Sequence, residues 1–224
     1  MYMRSVLFLL LFFFGVHSLF AQATRSDPSD MQGWFGATIG ADLPKKWKAE
    51  LAYQARYNNN LTTYNGSYYS LGIERKVTKF LSLATEYRLS KVLKGTYNRY
   101  SFGFLLNRKL GNFKVDARVL YQNQIQDYDD PTKETNKNNF ARVRLRVKVP
   151  ISTQADLLLS TEPIYGISPT VHIDNYRHQV AFRFKVIKGF SLDFFYINRP
   201  DYAKKYKRQY HIIGSGLIYQ FKVG

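Results

Sequence analysis

From Gln32 onward the apolar residues of this chain recur at almost every second position, and that period constrains the fold more than any other feature. Between Trp47 and Tyr57 one face collects Trp47, Ala49, Leu51, Tyr53, Ala55 and Tyr57, while the other carries Lys48, Glu50, Gln54 and Arg56. Between Phe140 and Val149, Ala141, Val143, Leu145, Val147 and Val149 alternate with Arg142, Arg144, Arg146 and Lys148. A strand sends successive side chains to opposite faces, and a helix cannot sort them in this way. Eleven such runs follow one another: 32–43, 47–58, 67–77, 80–92, 98–107, 113–126, 139–149, 154–165, 175–186, 190–199 and 208–221. No helical period interrupts them, so the expected fold is all-β.

The connections alternate in kind. Pro44-Lys45-Lys46, Thr78-Lys79, Arg108 to Asn112, Pro150 to Thr153 and Ile187-Lys188-Gly189 are short. Between them stand mostly longer polar stretches: Asn59 to Gly66, Leu93 to Tyr97, Asp127 to Asn138, Gly166 to Asp174 and Pro200 to Lys207. Up-and-down hairpins with tight turns at one end and long loops at the other are the pattern of a transmembrane antiparallel β-barrel. Strands of this length also match the tilted span of a bilayer.

Alternation alone does not say which face points inward, and a soluble lipocalin-like barrel would turn the apolar face in. Three features favour lipid on that face. Charges of both signs sit near strand middles on the polar face, as in a wet lumen. Aromatics gather at strand ends: Trp47, Phe80, Phe113, Phe190 and Phe221 beside the short turns, and Tyr57, Tyr87, Tyr121 and Tyr196 toward the long loops. Such girdles suit the headgroup level and account for 18 Tyr and 17 Phe in 224 residues. The apolar face is also nearly free of charge. Single-chain bacterial barrels usually have an even strand number, so the eleven runs predict about twelve strands, with residues 24–31 as a poor extra one, or else ten.

Ahead of the strands, Arg4 is followed by an unbroken apolar run from Val6 to Phe14 and a small-residue exit. This reads as a signal peptide over residues 1–23, with cleavage after Ala21 or after Ala23, then a flexible mature N-terminus over 24–31 and a barrel over 32–224. Export through such a peptide points to the outer membrane of a Gram-negative bacterium. The expected partners are outer-membrane lipid and lipopolysaccharide, and the barrel-assembly machinery during biogenesis.

The net charge of +17 comes from 33 Lys and Arg against 16 Asp and Glu. Strand phase sends Lys48, Arg56, Lys76, Arg88, Arg99, Lys114, Arg118, Arg142, Arg144, Arg146, Lys148, Arg177, Arg183 and Lys185 to the lumen. It sends Asp42, Glu50, Glu74, Glu86, Asp116, Asp156, Glu162 and Asp193 there too. The densest feature is the ladder Arg142, Arg144, Arg146 and Lys148, flanked by Lys114 and Arg118. Two readings stand beside each other. The cations pair with Asp116, Asp156 and Glu162 and fill a small barrel. Or they form a track that favours small anions in a narrow channel. The loop cations Lys91, Lys94, Lys133, Lys137, Lys204, Lys205, Lys207 and Arg208 suit an anionic outer leaflet. Nucleic acid is not an expected partner for an exported chain whose charge is dispersed.

Catalysis is not expected. With no Cys, thiol nucleophiles and thiolate metal sites are excluded. Beyond the signal the histidines are His172, His178 and His211, and no His-x-Ser pair occurs. His211 and Ser215 stand four residues apart on one strand face, too far for a hydrogen bond. Asp127-x-Asp129 and His172-x-Asp174 in neighbouring long loops invite comparison with omptin-like proteases, but their order is reversed and the strands do not extend far above the membrane as that fold needs. Neither a metal nor a cofactor is expected.

Gln32-Gly33-Trp34-Phe35-Gly36, Leu43-Pro44-Lys45-Lys46-Trp47 and Gln54-Ala55-Arg56-Tyr57 together resemble a Bacteroidota outer-membrane family of unassigned role, domain of unknown function 2490. Gly72-Ile73-Glu74 and Leu81 to Glu86-Tyr87-Arg88 are similar as well. The resemblance implies an outer-membrane barrel and brings no catalytic residues with it. The expected role is a narrow, net-positive diffusion channel for small anions; a closed barrel serving an envelope protein partner is the alternative, and an outer-membrane hydrolase a remote one.

Overall fold

The computed structural model describes residues 29–93, 95–129, 132, 135–168, 170–202 and 208–223. The signal segment 1–23, residues 24–28, and the loop cations Lys94, Lys133, Lys204, Lys205 and Lys207 lie outside the described residues. The strands are β1 (Ser29–Leu43), β2 (Trp47–Asn58), β3 (Thr63–Lys76), β4 (Leu81–Val92), β5 (Gly95–Leu110) and β6 (Phe113–Asp127). They continue with β7 (Asn136–Pro150), β8 (Ala155–Gly166), β9 (His172–Ile187), β10 (Phe190–Asp201) and β11 (Arg208–Lys222). Each pairs antiparallel with its chain neighbour, and the sheet closes into a barrel through β1 and β11.

The closure corrects the expected strand number. Among the described residues eleven strands close the barrel, one short of the expected twelve. With an odd number, first and last strands run the same way, so they pair in parallel, from Ser29↔Gln209 to Asp42↔Lys222. That register satisfies both edges that an open sheet would leave bare. It also shortens the expected flexible terminus, because residues 29–31 belong to β1. Asp30 accepts a hydrogen bond from the Asn60 amide at 2.9 Å, and Leu61 N–H donates to the Met31 carbonyl at 3.2 Å.

Strands extend further toward the long loops than alternation suggested. Pairing of β3 with β4 carries to Gly66↔Val92 and that of β4 with β5 to Val92↔Gly95, and residues 59–62 form a tight turn. Asn59 and Asn60 take φ of 51° and 53°, a region that Asn tolerates better than most residues. At the other end Gly189, with φ of 81°, turns the chain where a side chain would meet the Gln220 carbonyl. Within β8, Pro163 has no N–H to give. The β7–β8 ladder is accordingly interrupted between Arg142↔Ile164 and Leu145↔Thr161, with the register kept on both sides.

The two faces sort as the alternation requires. Leu51, Leu83, Phe102, Phe182 and Phe194 stand exposed on the outside, with Trp47, Phe80, Phe221, Tyr87, Tyr121 and Tyr196 at its ends. The polar set turns inward. The lumen divides at mid-height: toward the long loops the inward side chains are buried, whereas Lys48, Glu50, Lys76 and Lys114 toward the short turns are exposed to an internal space.

Candidate functional site

The buried half of the lumen is built first by apolar residues on β1, β10 and β11. Trp34, Ile197, Tyr210 and Ile212 form one cluster with Phe195 packed against it, and Ile212 is wholly buried at 0% exposure. Gly214 makes the packing possible, since a Cβ there would collide with the Trp34 carbonyl and the Phe195 ring. The Arg56 guanidinium lies 3.8 Å from the ring centroids of both Trp34 and Tyr68, and Arg199 lies 4.1 Å from that of Tyr210. Desolvated cation–π contacts of this kind contribute about 2 kcal/mol each.

Beside this cluster an arginine–glutamate layer crosses the barrel. Glu162 on β8 takes Arg118 from β6 on Oε1 and Arg142 from β7 on Oε2, both at 2.8 Å, with Arg177 of β9 at 3.9 Å. Arg142 also donates to Gln122 at 3.2 Å. On the β4–β5 side Glu86 takes Arg99 at 2.9 Å and Arg88 at 3.4 Å. Buried ions are tolerated only when paired in this way.

Below the layer the lumen opens into a vestibule of about 990 Å³ that reaches the short-turn rim. Eleven cationic side chains line it against three carboxylates. The basic ladder forms its wall. Arg144 and Arg146 share Asp116 at 3.3 and 2.7 Å, and Lys148 and Lys185 share Asp156 at 2.8 and 3.2 Å. Thus Asp116 and Asp156 each hold two cations and Glu162 three, which leaves positive charge over in every group. Arg183 is matched singly, its fork closing on Asp193 with two bonds of 2.7 Å.

The structure therefore brings Arg118, Arg142, Arg144, Arg146, Lys148 and Lys114 onto one inner wall with Asp116, Asp156 and Glu162. The girdle residues stand elsewhere, on the outer face, where Phe113, Phe190 and Tyr57 are partly covered by neighbours. His211 meets the Tyr196 hydroxyl at 2.7 Å and His178 meets Thr161 at 3.1 Å, so neither forms a serine pair. Arg199 and the Trp34 cluster escaped the sequence reading. Their signal is a local loss of alternation, with apolar residues in both phases at Trp34-Phe35, Phe194 to Ile197 and Ile212-Ile213.

The profile of a family described as Protein of unknown function (DUF2490) matches residues 31–210. No curated protein matches the chain in sequence. Among solved structures, the NanC porin superposes with a TM-score of 0.51 at 10% identity, covering 75% of this chain and 86% of the porin. The translocator domain of the autotransporter NalP from Neisseria meningitidis gives 0.47 at 14% identity, over 78% of this chain and 74% of that one. OccK8 (OprE) of Pseudomonas aeruginosa gives 0.37 at 11% identity, and its match takes in 74% of this chain and 57% of OccK8. At such identities the likeness is one of fold.

Proposed function

This chain belongs to the DUF2490 family of proteins of unknown function, and we propose that it is an outer-membrane β-barrel that draws small anions into its lumen from the short-turn side and rests closed at mid-height. The membrane reading is supported by the exposed apolar exterior: a belt including Leu51 at 59% exposure and Phe102 at 61% suits acyl chains and not water. In this reading the short turns face the periplasm and the long loops face outward. Lys91, Lys137 and Arg208 then sit near lipopolysaccharide phosphates.

The observation that carries the anion reading is the vestibule, with its eleven cations against three carboxylates. A space whose wall carries an excess of one sign of charge concentrates the opposite ion and lowers its entry barrier. Planar-bilayer recording of the purified barrel in a KCl gradient tests it. The expected result is brief, small openings whose reversal potential favours chloride, with the preference reduced by Arg146→Gln. Absence of current from the wild type and from Trp34→Ala, which loosens the layer, removes the channel reading.

The second reading, a permanently closed barrel with an envelope protein partner, is favoured by the packed layer itself. Its test is recovery of a stoichiometric partner from native membranes after mild solubilisation.

A further inference from the structure

The register of β6 against β7 places like charges face to face. On the inward side Lys114 stands directly opposite Lys148, and Arg118 directly opposite Arg144, with the mixed rung Asp116↔Arg146 between them. Like charges opposed across a ladder are destabilising, so a barrel that keeps two such rungs needs something to screen them. Internal carboxylates do so only in part. Asp116 and Asp156 each serve two cations and Glu162 three, and among the described residues no ion pair is recorded for Lys114. Donors are in surplus as well, since the Nε–H groups of Arg118 and Arg144 are buried without an acceptor in the protein.

There is also room. All four residues of the two like-charge rungs line the vestibule of about 990 Å³, which is large enough for an organic solute and not only for an ion. The rungs lie four residues apart, about 13 Å along the strands, and flexible Lys and Arg side chains shorten that span. Lys76 and Lys185 also line the same space. We propose that the vestibule is a binding site for a small polyanion, a solute carrying two or more clustered phosphate charges. The Arg118/Arg144 rung holds its inner end and the Lys114/Lys148 rung its outer end. Guanidinium forks match phosphate oxygens in geometry, and ammonium groups supply charge without demanding a direction.

The inference rests on the vestibule of the proposed function but not on conduction, so the two fail separately. Titration calorimetry of the folded barrel in a non-ionic detergent, with inorganic tripolyphosphate as probe, tests it at constant ionic strength. The expected result is saturable one-to-one binding. Inorganic phosphate should bind more weakly, and chloride at matched ionic strength should give no heat of binding. The Lys114→Gln/Lys148→Gln pair should bind tripolyphosphate about ten-fold more weakly, while heat-modified gel mobility reports that the variant barrel is still folded. No saturable heat, or binding equal in the variant and the wild type, overturns the site even if the bilayer records chloride current.

Discussion

Arg142 donates through Nη2 to Oε2 of Glu162 at 2.8 Å, and both side chains are more than nine-tenths buried where the lumen closes. Because Glu162 also holds Arg118, this one carboxylate ties the neighbouring strands β6, β7 and β8 together on one wall of the barrel. Glu162→Gln keeps the shape and removes the charge, which leaves two buried guanidinium groups without a counter-ion. The expected loss is about 3–5 kcal/mol, read as a lowered urea midpoint for unfolding from phospholipid vesicles. A midpoint unchanged from wild type would mean that water, and not Glu162, screens those arginines.

Trp34 supplies the ring on which Arg56 stacks and the base on which Ile197, Tyr210 and Ile212 pack. Trp34→Ala should cost about 3–5 kcal/mol and open space through the layer. The accompanying readout is conductance: the variant should pass more current than wild type, whereas a purely structural cluster would lose stability with no change in current.

Glu50 and Leu51 are adjacent in sequence and opposite in environment. Leu51 is exposed on the outer belt, and Glu50 lines the vestibule. If the belt meets lipid, Leu51→Lys should cost about 2–4 kcal/mol, whereas Glu50→Lys should fold into vesicles with near wild-type yield. Equal folding of the two variants would remove the membrane assignment of the outer face.

The sequence made the period, the strand runs and the sorting of faces legible because each rests on local alternation, which one strand displays unaided. Fourteen cations assigned inward by phase fall on the inward face in β2 through β9. Strand number was not legible in the same way. It depends on how β1 finds β11, nearly the whole chain away, and a preference for even barrels misled the count. The closing layer was half legible. Arg118, Arg142 and Glu162 could be named from phase, but their convergence depends on the register of β6, β7 and β8. The Trp34 cluster was hidden because inward apolar residues look, from sequence alone, like more of the outer face.

The Lys114–Lys148 rung separates folding from binding. Lys114 faces Lys148 directly and has no recorded ion pair among the described residues. Lys114→Glu turns a repulsive rung into an attractive one next to a lysine that already shares Asp156 with Lys185. The empty barrel should therefore become more stable, by about 0.2–1 kcal/mol, in low-salt urea unfolding. The gain should shrink as salt screens the pair. The same change puts a carboxylate where the outer end of the proposed polyanion lies, so tripolyphosphate affinity should fall as stability rises. A lysine kept for folding would give the reverse, a less stable barrel, and a neutral surface lysine would move neither quantity. Opposite signs in the two measurements are the mark of a residue whose placement costs stability for the sake of a ligand.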